Sequence, residues 1–159
     1  MKWKKWLENW DMTSLKVNVG FLEMDWNPSE PDKDAAWDMY IELLTRVTTQ
    51  SLPAEHGDEQ GALNSVHSLF SSTRSVIKAH GRNCQEFTKI AIIVLNQKIR
   101  PFTTKWHKLS INNAFTDDDK CIEFRQELTA LQSELNIYAG MLAEMAGVED
   151  ITTLESLDE

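Results

Sequence analysis

Long hydrophobic runs, paired cysteines and glycine-rich loops are all missing from this chain. The longest apolar run, from Ile90 to Leu95, is far shorter than the roughly 20 residues of a membrane-spanning helix. Its cysteines, Cys84 and Cys121, form neither a metal-ligand spacing nor a disulfide framework. No phosphate-binding glycine loop, nucleophile elbow or carboxylate-rich di-metal motif occurs. We therefore expect a cytoplasmic protein with no membrane span, no metal site and no cofactor.

Charge is segregated along the chain. Between Arg74 and Lys108 there are eight Lys and Arg residues and one acid, Glu86, although the formal net charge of the whole chain is −9. This segment predicts a basic face that could bind nucleic acid or an acidic protein. The alternative is that its charges only balance an acidic helix of the same chain, where an exposed ion pair contributes about 0 to 1 kcal/mol.

The strongest periodic signal lies towards the C-terminus. Apolar residues recur there at alternating spacings of four and three, namely at Phe124, Leu128, Leu131, Leu135, Tyr138, Leu142 and Met145. Thr116 and Asp119 resemble a capping box, and Gly147 offers a stop. The pattern predicts a helix from about Asp117 to Ala146 with an unbroken buried seam.

Three further helices are predicted before it. The first runs from Pro31 to about Gln50 and buries one stripe, made of Trp37, Tyr40, Ile41, Leu44 and Val47. The second runs from Asp58 to His80, buries Leu63, Val66, Phe70 and Ile77, and stops at Gly81. The third starts at Asn83, capped with Glu86, and kinks or stops at Pro101, because proline has no N–H for the carbonyl four residues back. A short helical turn through Trp106 follows.

These elements predict an all-α protein, specifically an antiparallel four-helix bundle with a kinked third helix and an N-terminal aromatic helix or extended arm. The predicted division is an arm at 1–30, a bundle domain at 31–147 and an acidic, frayed tail at 148–159. In the arm, Trp3, Trp6 and Trp10 share one helical face, and alternation at 15–21 predicts an extended stretch. We expect the aromatic face to dock on the bundle or on a partner rather than on a membrane, because the acidic remainder of the chain would be repelled by anionic lipid.

Two arginine–histidine spacings hint at catalysis. Arg74 and His80 have five residues between them, and Arg100 and His107 have six. The spacing resembles the Arg-x(4–6)-His element of HEPN ribonucleases, small helical proteins that dimerise and cleave RNA. That resemblance implies an imidazole that transfers protons and a cation for the charge on phosphate, with Arg100 and His107 as the preferred pair. Pro101 after Arg100 departs from the family's pattern, in which a polar residue usually follows the arginine.

Several stretches resemble, as a set, a family of small all-helical bacterial proteins. They are Gly20-Phe21-Leu22-Glu23, Ala35-Ala36-Trp37-Asp38-Met39-Tyr40, Thr45-Arg46-Val47-Thr48-Thr49-Gln50, and Leu95-Asn96 leading into Arg100-Pro101-Phe102-Thr103-Thr104-Lys105-Trp106-His107. The resemblance covers nearly the whole chain. It implies a link to gene neighbourhoods of bacterial conflict or antiphage systems, and it brings no assigned activity.

The sequence favours a non-enzymatic interaction subunit or adaptor of a bacterial defence or toxin-type assembly. It would bind a protein partner, either a larger effector or a second copy of itself, through the arm and the basic face, that is through Trp3, Trp6, Trp10, Lys98, Arg100, Lys105 and Lys108. Two alternatives stay open. One is a HEPN-like, metal-independent ribonuclease using Arg100 and His107, and the other is a small helical subunit that binds nucleic-acid backbone through residues 74–108.

Overall fold

The computed structural model describes residues 27–46, 52 and 58–152, and these residues form helices and contain no β-strand. The prediction of an all-α protein is therefore confirmed for this part of the chain. In order, its α-helices are α1 (Glu30–Leu44), α2 (Glu59–His67), α3 (Leu69–His80), α4 (Gln85–Val94), α5 (Arg100–Ile111) and α6 (Asp118–Ala146). The predicted N-terminal extended stretch lies outside the described residues.

One buried carboxylate ties the start of α1 to the start of α4. Ser29 caps α1, and Asp32 completes the capping box by accepting a hydrogen bond from the Ser29 N–H at 2.8 Å. The second oxygen of Asp32 accepts from the N–H of Phe87, in the first turn of α4, at 3.0 Å. Asp32 is only 2% exposed, and the N-termini of both helices favour its negative charge. This contact sets where α4 begins relative to α1.

The predicted cap of α4 by Asn83 and Glu86 is wrong. Cys84 precedes the helix without a side-chain capping bond, and the Asn83 carbonyl accepts from the Ser29 hydroxyl at 2.9 Å. Glu86 pairs instead with Lys89 at 3.3 Å. The capping acceptor comes from α1, through Asp32, so the local sequence of α4 does not reveal it.

The buried face of α1 also differs from the predicted stripe. Its core consists of small residues together with a few large ones, namely Ala35, Ala36, Met39, Tyr40 and Leu43. Trp37 is 45% exposed and Ile41 is 37% exposed, whereas the two alanines are fully buried where α1 packs on its neighbours, most extensively on α6. The predicted stripe is thus right at Tyr40 and in part at Leu44, which packs partly buried against the core, and wrong at Trp37 and Ile41, while Val47 lies outside the described residues. Alanines at the contact let the helices approach closely, which a prediction weighted by side-chain size did not anticipate. α1 also ends at Leu44, well before the predicted Gln50.

The predicted second helix is two helices. α2 ends at His67 and α3 starts at Leu69, with Ser68 at the break. The predicted core positions Leu63, Val66 and Phe70 are buried, and Ile77 packs partly buried against the core. Gly81 ends α3 with a φ of 69°, a conformation that favours glycine, so the predicted stop is confirmed.

Helical backbone continues through Pro101. Leu95–Ile99 form a π-helical turn, in which the N–H of Arg100 donates to the Leu95 carbonyl five residues back. α5 then runs to Ile111, beyond the short turn predicted to end at Trp106. The wider turn places Pro101 in the first turn of a new α-helix, where a missing N–H breaks no hydrogen bond.

α6 carries the predicted seam. Every residue of the seam is buried, from Phe124 through Leu135 to Met145, so this prediction is confirmed. Gly147 ends the helix with a φ of 72°, also as predicted. The predicted capping box is wrong, because the N-cap is Asp117, one residue after the predicted Thr116. The Asp117 side chain accepts a hydrogen bond from the N–H of Asp119 at 2.9 Å. A cluster of four consecutive capping-competent residues made the choice ambiguous.

The first residues after α6 fold back onto α1. The Tyr40 hydroxyl donates to Asp150 at 3.0 Å and accepts from the N–H of Ile151 at 2.7 Å. The prediction of a frayed tail is therefore wrong for these two residues. No helix in the described ranges is long and apolar enough to cross a membrane.

Candidate polyanion-binding site

The basic residues of α5 and the π-helical turn lie on two different sides. Lys98 and Lys105 face α6, the acidic helix. Lys98 is 8% exposed and its ammonium lies 3.0 Å from Glu134, while Lys105 lies 3.1 Å from Glu123 and 2.6 Å from Glu127. On this side the charges are balanced within the chain, as the alternative interpretation of the basic segment expected.

The pKa shifts of the paired side chains favour their charged forms. The hydrogen bond that Lys105 donates to Glu127 raises the pKa of Lys105, and the hydrogen bonds donated by Lys120 and then by Lys105 lower the pKa of Glu123. The charges of Lys105 and Glu123 therefore persist across the neutral range. Lys105 also lies 5.0 Å from the ring centre of the buried Trp106, whose indole N–H donates to Glu127.

The other side of α5 lines a cleft of about 490 Å³ against α2 and α3. We call it the cationic cleft, and it is lined by His67, Phe70, Arg74, Arg100, Thr103, Thr104, His107 and Lys108. Its cations come from two separate helices. No carboxylate of the described residues is part of this lining.

Helical periodicity explains why these side chains converge. On α5, Arg100, Thr104 and Lys108 are spaced by four residues, so they share one face. On the opposite wall, Phe70 and Arg74 have the same spacing on α3, and His67 precedes them at the end of α2. α2 packs against α5, which brings the two rows together.

Arg100 is held in place by two neighbours. Its Nε donates to the Asn96 side chain at 3.1 Å, and its guanidinium carbon lies 4.8 Å from the ring centre of Phe70. Neither contact uses a terminal nitrogen of the guanidinium. None of the ion pairs among the described residues involves Arg74, Arg100 or Lys108. Within the described part of the chain, no ion pair compensates the positive charge of these three cleft residues.

Two histidines border the same cleft. The exposed ring of His67 lies 5.6 Å from the ring of Phe70, measured between centres. A smaller cavity of about 150 Å³ connects both histidines, since it is lined by Leu63, Asn64, His67, Thr103 and His107. Imidazole can accept or donate protons near neutral pH, so the cleft combines cations with groups able to transfer protons.

The structure separates the two arginine–histidine spacings. Arg100 and His107 line the same cleft, two turns apart on α5. Arg74 lines it too, but His80 points elsewhere and pairs with Asp38 of α1 at 2.6 Å. Arg74 therefore lines the same cleft as Arg100 and His107 and does not form a second pair with His80.

Sequence reasoning missed His67 and Phe70 as members of the site and did not connect Arg74 to Arg100. A local signal existed, because His67, Phe70 and Arg74 have spacings of three and four. The predicted partner residues Trp3, Trp6 and Trp10 lie outside the described residues. In the described ranges no group of three or more His, Cys, Asp or Glu side chains could hold a metal ion.

No protein family, curated protein or solved structure matches this chain. The two resemblances drawn from its sequence therefore stay predictions, and function has to be argued from the cleft.

Proposed function

We propose that this protein is a helical interaction subunit that binds a polyanionic partner in the cationic cleft without catalysing a reaction on it. The observation that carries the proposal is the convergence of Arg74, Arg100 and Lys108 with no carboxylate among the described residues of the lining. Cations placed together in a concave site focus positive potential even when the net charge of the chain is negative. The acidic remainder of the surface would discourage binding of the same partner elsewhere.

The adaptor role predicted from the sequence belongs to this proposal. An acidic segment of a protein partner would meet the cleft's charge, and the arm with Trp3, Trp6 and Trp10 would add an apolar contact. A cytoplasmic place in a bacterial defence assembly is part of the same proposal. The free thiols of Cys84 and Cys121 support a reducing compartment.

We also propose how the helices are arranged in the fold. We infer that the helices form an antiparallel four-helix bundle in which α4, the π-helical turn and α5 act as one bent third helix. Sharp bends in helices usually occur at prolines and at π-helical turns, and both stand side by side at Pro101. Such a bend would set the angle at which α5 forms the wall of the cleft.

Retention on immobilised heparin tests the proposal. The wild-type chain should be retained despite its formal charge of −9, because the cleft offers a local positive site. Arg74→Glu with Lys108→Glu should abolish retention while leaving the thermal midpoint unchanged, since both side chains are exposed and unpaired within the described residues.

The matched control is Lys78→Glu with Arg82→Glu. It makes the same change in net charge within the same basic segment, at exposed positions outside the cleft. This variant should still be retained. Passage of the wild-type chain through the column, or equal loss in both double variants, would exclude the cleft as the binding site.

A second candidate function is metal-independent RNA cleavage. The observation that favours it is that Arg100 and His107 line one cleft together with His67. One imidazole could take a proton from the attacking hydroxyl and another could donate one to the leaving oxygen, while Arg100 stabilises the charge on phosphate. Labelled RNA incubated with excess chelator should then be cut, and His107→Ala should stop the cutting. Intact RNA after prolonged incubation with wild-type protein would rule out this candidate.

A further inference from the structure

The two walls of the cationic cleft differ in chemistry, and this difference narrows the class of ligand. The α5 wall offers cations and a hydroxyl, from Arg100, Thr104 and Lys108. The opposite wall offers Arg74 beside the rings of His67 and Phe70. A ligand that fits both walls has repeated negative charge along one edge and flat apolar groups along the other.

We propose that the ligand is single-stranded nucleic acid, with phosphates on the cations of the cleft and a base stacked beside His67. The inference rests on the proposed function, since it names the class of polyanion that this cleft binds. Nucleotide bases stack on aromatic rings, on histidine and on guanidinium planes, and their phosphates follow grooves lined with Lys and Arg. An acidic peptide would match the charge but would leave the exposed ring of His67 unused.

The geometry of α5 supports more than one phosphate contact. Arg100 and Lys108 are separated by two turns, about 12 Å along the helix axis at 1.5 Å per residue. The two side chains therefore leave the helix at separate points, so successive phosphates of one strand can each contact one of them. Thr104 lies between them on the same face, and its hydroxyl can donate to a phosphate oxygen.

Arg100 is prepared for this contact. Asn96 binds its Nε and Phe70 lies under its guanidinium, so the side chain is held before the ligand arrives. The terminal nitrogens remain for a two-pronged contact with a phosphate, a geometry that arginine favours. Holding the side chain in advance reduces the entropy lost on binding.

The size of the cleft favours a single strand over a duplex as the seated form. About 490 Å³ accommodates a small organic ligand or a nucleotide portion of a strand. A base pair could not enter with both of its strands. Binding should therefore prefer unpaired RNA or DNA over the same sequence in a duplex.

Fluorescence anisotropy with a labelled oligouridine of twelve nucleotides tests the inference, using an oligoglutamate peptide of matched charge as the competing ligand. We expect the RNA to bind with an affinity that falls steeply with salt. Arg74→Glu with Lys108→Glu should weaken it by at least about tenfold and lower the salt slope by about 2. Lys78→Glu with Arg82→Glu should change the affinity by less than about twofold.

His67→Ala separates stacking from charge. Its ring is exposed, and the substitution should weaken oligouridine several-fold while leaving inorganic polyphosphate binding unchanged. Preference for the peptide over RNA, with the peptide lost in the cleft variant, would overturn this inference and leave the proposed function standing. RNA binding that survives the cleft variant would also overturn it. If neither RNA nor peptide binds, the proposed function falls as well.

Discussion

Replacing Asp32 tests how the structure positions the helices that carry the cleft. Its carboxylate accepts hydrogen bonds from the N–H and the hydroxyl of Ser29, each at 2.8 Å, and from the N–H of Phe87 at 3.0 Å. Asp32→Ala removes all three acceptor contacts. It also removes the negative charge at the positive ends of α1 and α4.

The magnitude follows from which donors lose their partner. The loss at Ser29 is small, because its hydroxyl also lies 2.9 Å from the Asn83 carbonyl and can donate its one proton there, and its N–H lies at an exposed residue where water can replace the acceptor. Phe87 is fully buried, and an N–H left there without an acceptor costs about 1 to 3 kcal/mol. Loss of the charge at two helix ends adds about 0.3 to 1 kcal/mol for each. We expect the free energy of unfolding to fall by about 2 to 5 kcal/mol, measured by urea unfolding followed by circular dichroism.

Asp34→Ala is the matched control. Asp34 lies in the same first part of α1 but is exposed and accepts no hydrogen bond from the described residues, so its removal should cost less than about 0.5 kcal/mol. Asp32→Asn should fall between the two, because the amide keeps one acceptor but carries no charge. Similar small losses for both alanine variants would refute the role assigned to Asp32.

Three further predictions concern the core and two titrating groups. Leu135→Ala, in the seam of α6, should lower the free energy of unfolding by about 2 to 5 kcal/mol, because it removes a buried side chain. Gln126→Ala, on the exposed face of the same helix, should lower it by less than about 0.5 kcal/mol. Equal losses in urea unfolding would contradict the claim that the seam forms the core. Burial raises the pKa of Tyr40, so the fold favours the neutral phenol, and stability should fall as pH rises above about 10. Tyr40→Phe removes this titration, so the difference in unfolding free energy between this variant and the wild type should narrow at alkaline pH. Parallel plots of unfolding free energy against pH for the two proteins would argue against the titration of Tyr40. Burial also raises the pKa of Cys121, so iodoacetamide should modify it more slowly than free cysteine at about pH 8, and mass spectrometry showing equal rates would disprove this.

The long helix α6 could be predicted because its signal is local and repeated. Each seam residue, from Phe124 to Met145, reinforces the same helical phase, so one ambiguous position changes nothing. α1 is shorter, and its face depends on which residues its neighbours accept. The neighbouring helices pack closely on Ala35 and Ala36 and leave the larger Trp37 exposed. Which face of α1 is buried therefore depends on those helices and not on the sequence of α1 alone.

The cleft could be predicted only in part, and the reason is the path through Pro101. With about 100° between successive helical residues, Lys105 lies about 140° around α5 from Arg100, whereas His107 lies only about 20° from Arg100 and Lys108 about 80°. This phase separates Lys105 from Arg100 and His107, but it can be derived from the sequence only if the helix is known to continue through Pro101. The prediction of a kink or a stop at Pro101 removed that information. Contact between α5 and the α2–α3 wall is long-range and has no local sequence signal.

The most direct test of the central claim is a titration of isotope-labelled protein with oligouridine, followed by amide chemical shifts in solution. The account predicts that shifts concentrate on residues lining the cationic cleft, around Arg74 on α3 and from Arg100 to Lys108 on α5. Residues around Glu134 on α6 should stay unchanged, because Lys98 is already paired there. Shifts centred on the α6 side, or none at saturating ligand, would contradict the claim that the cationic cleft is the binding site.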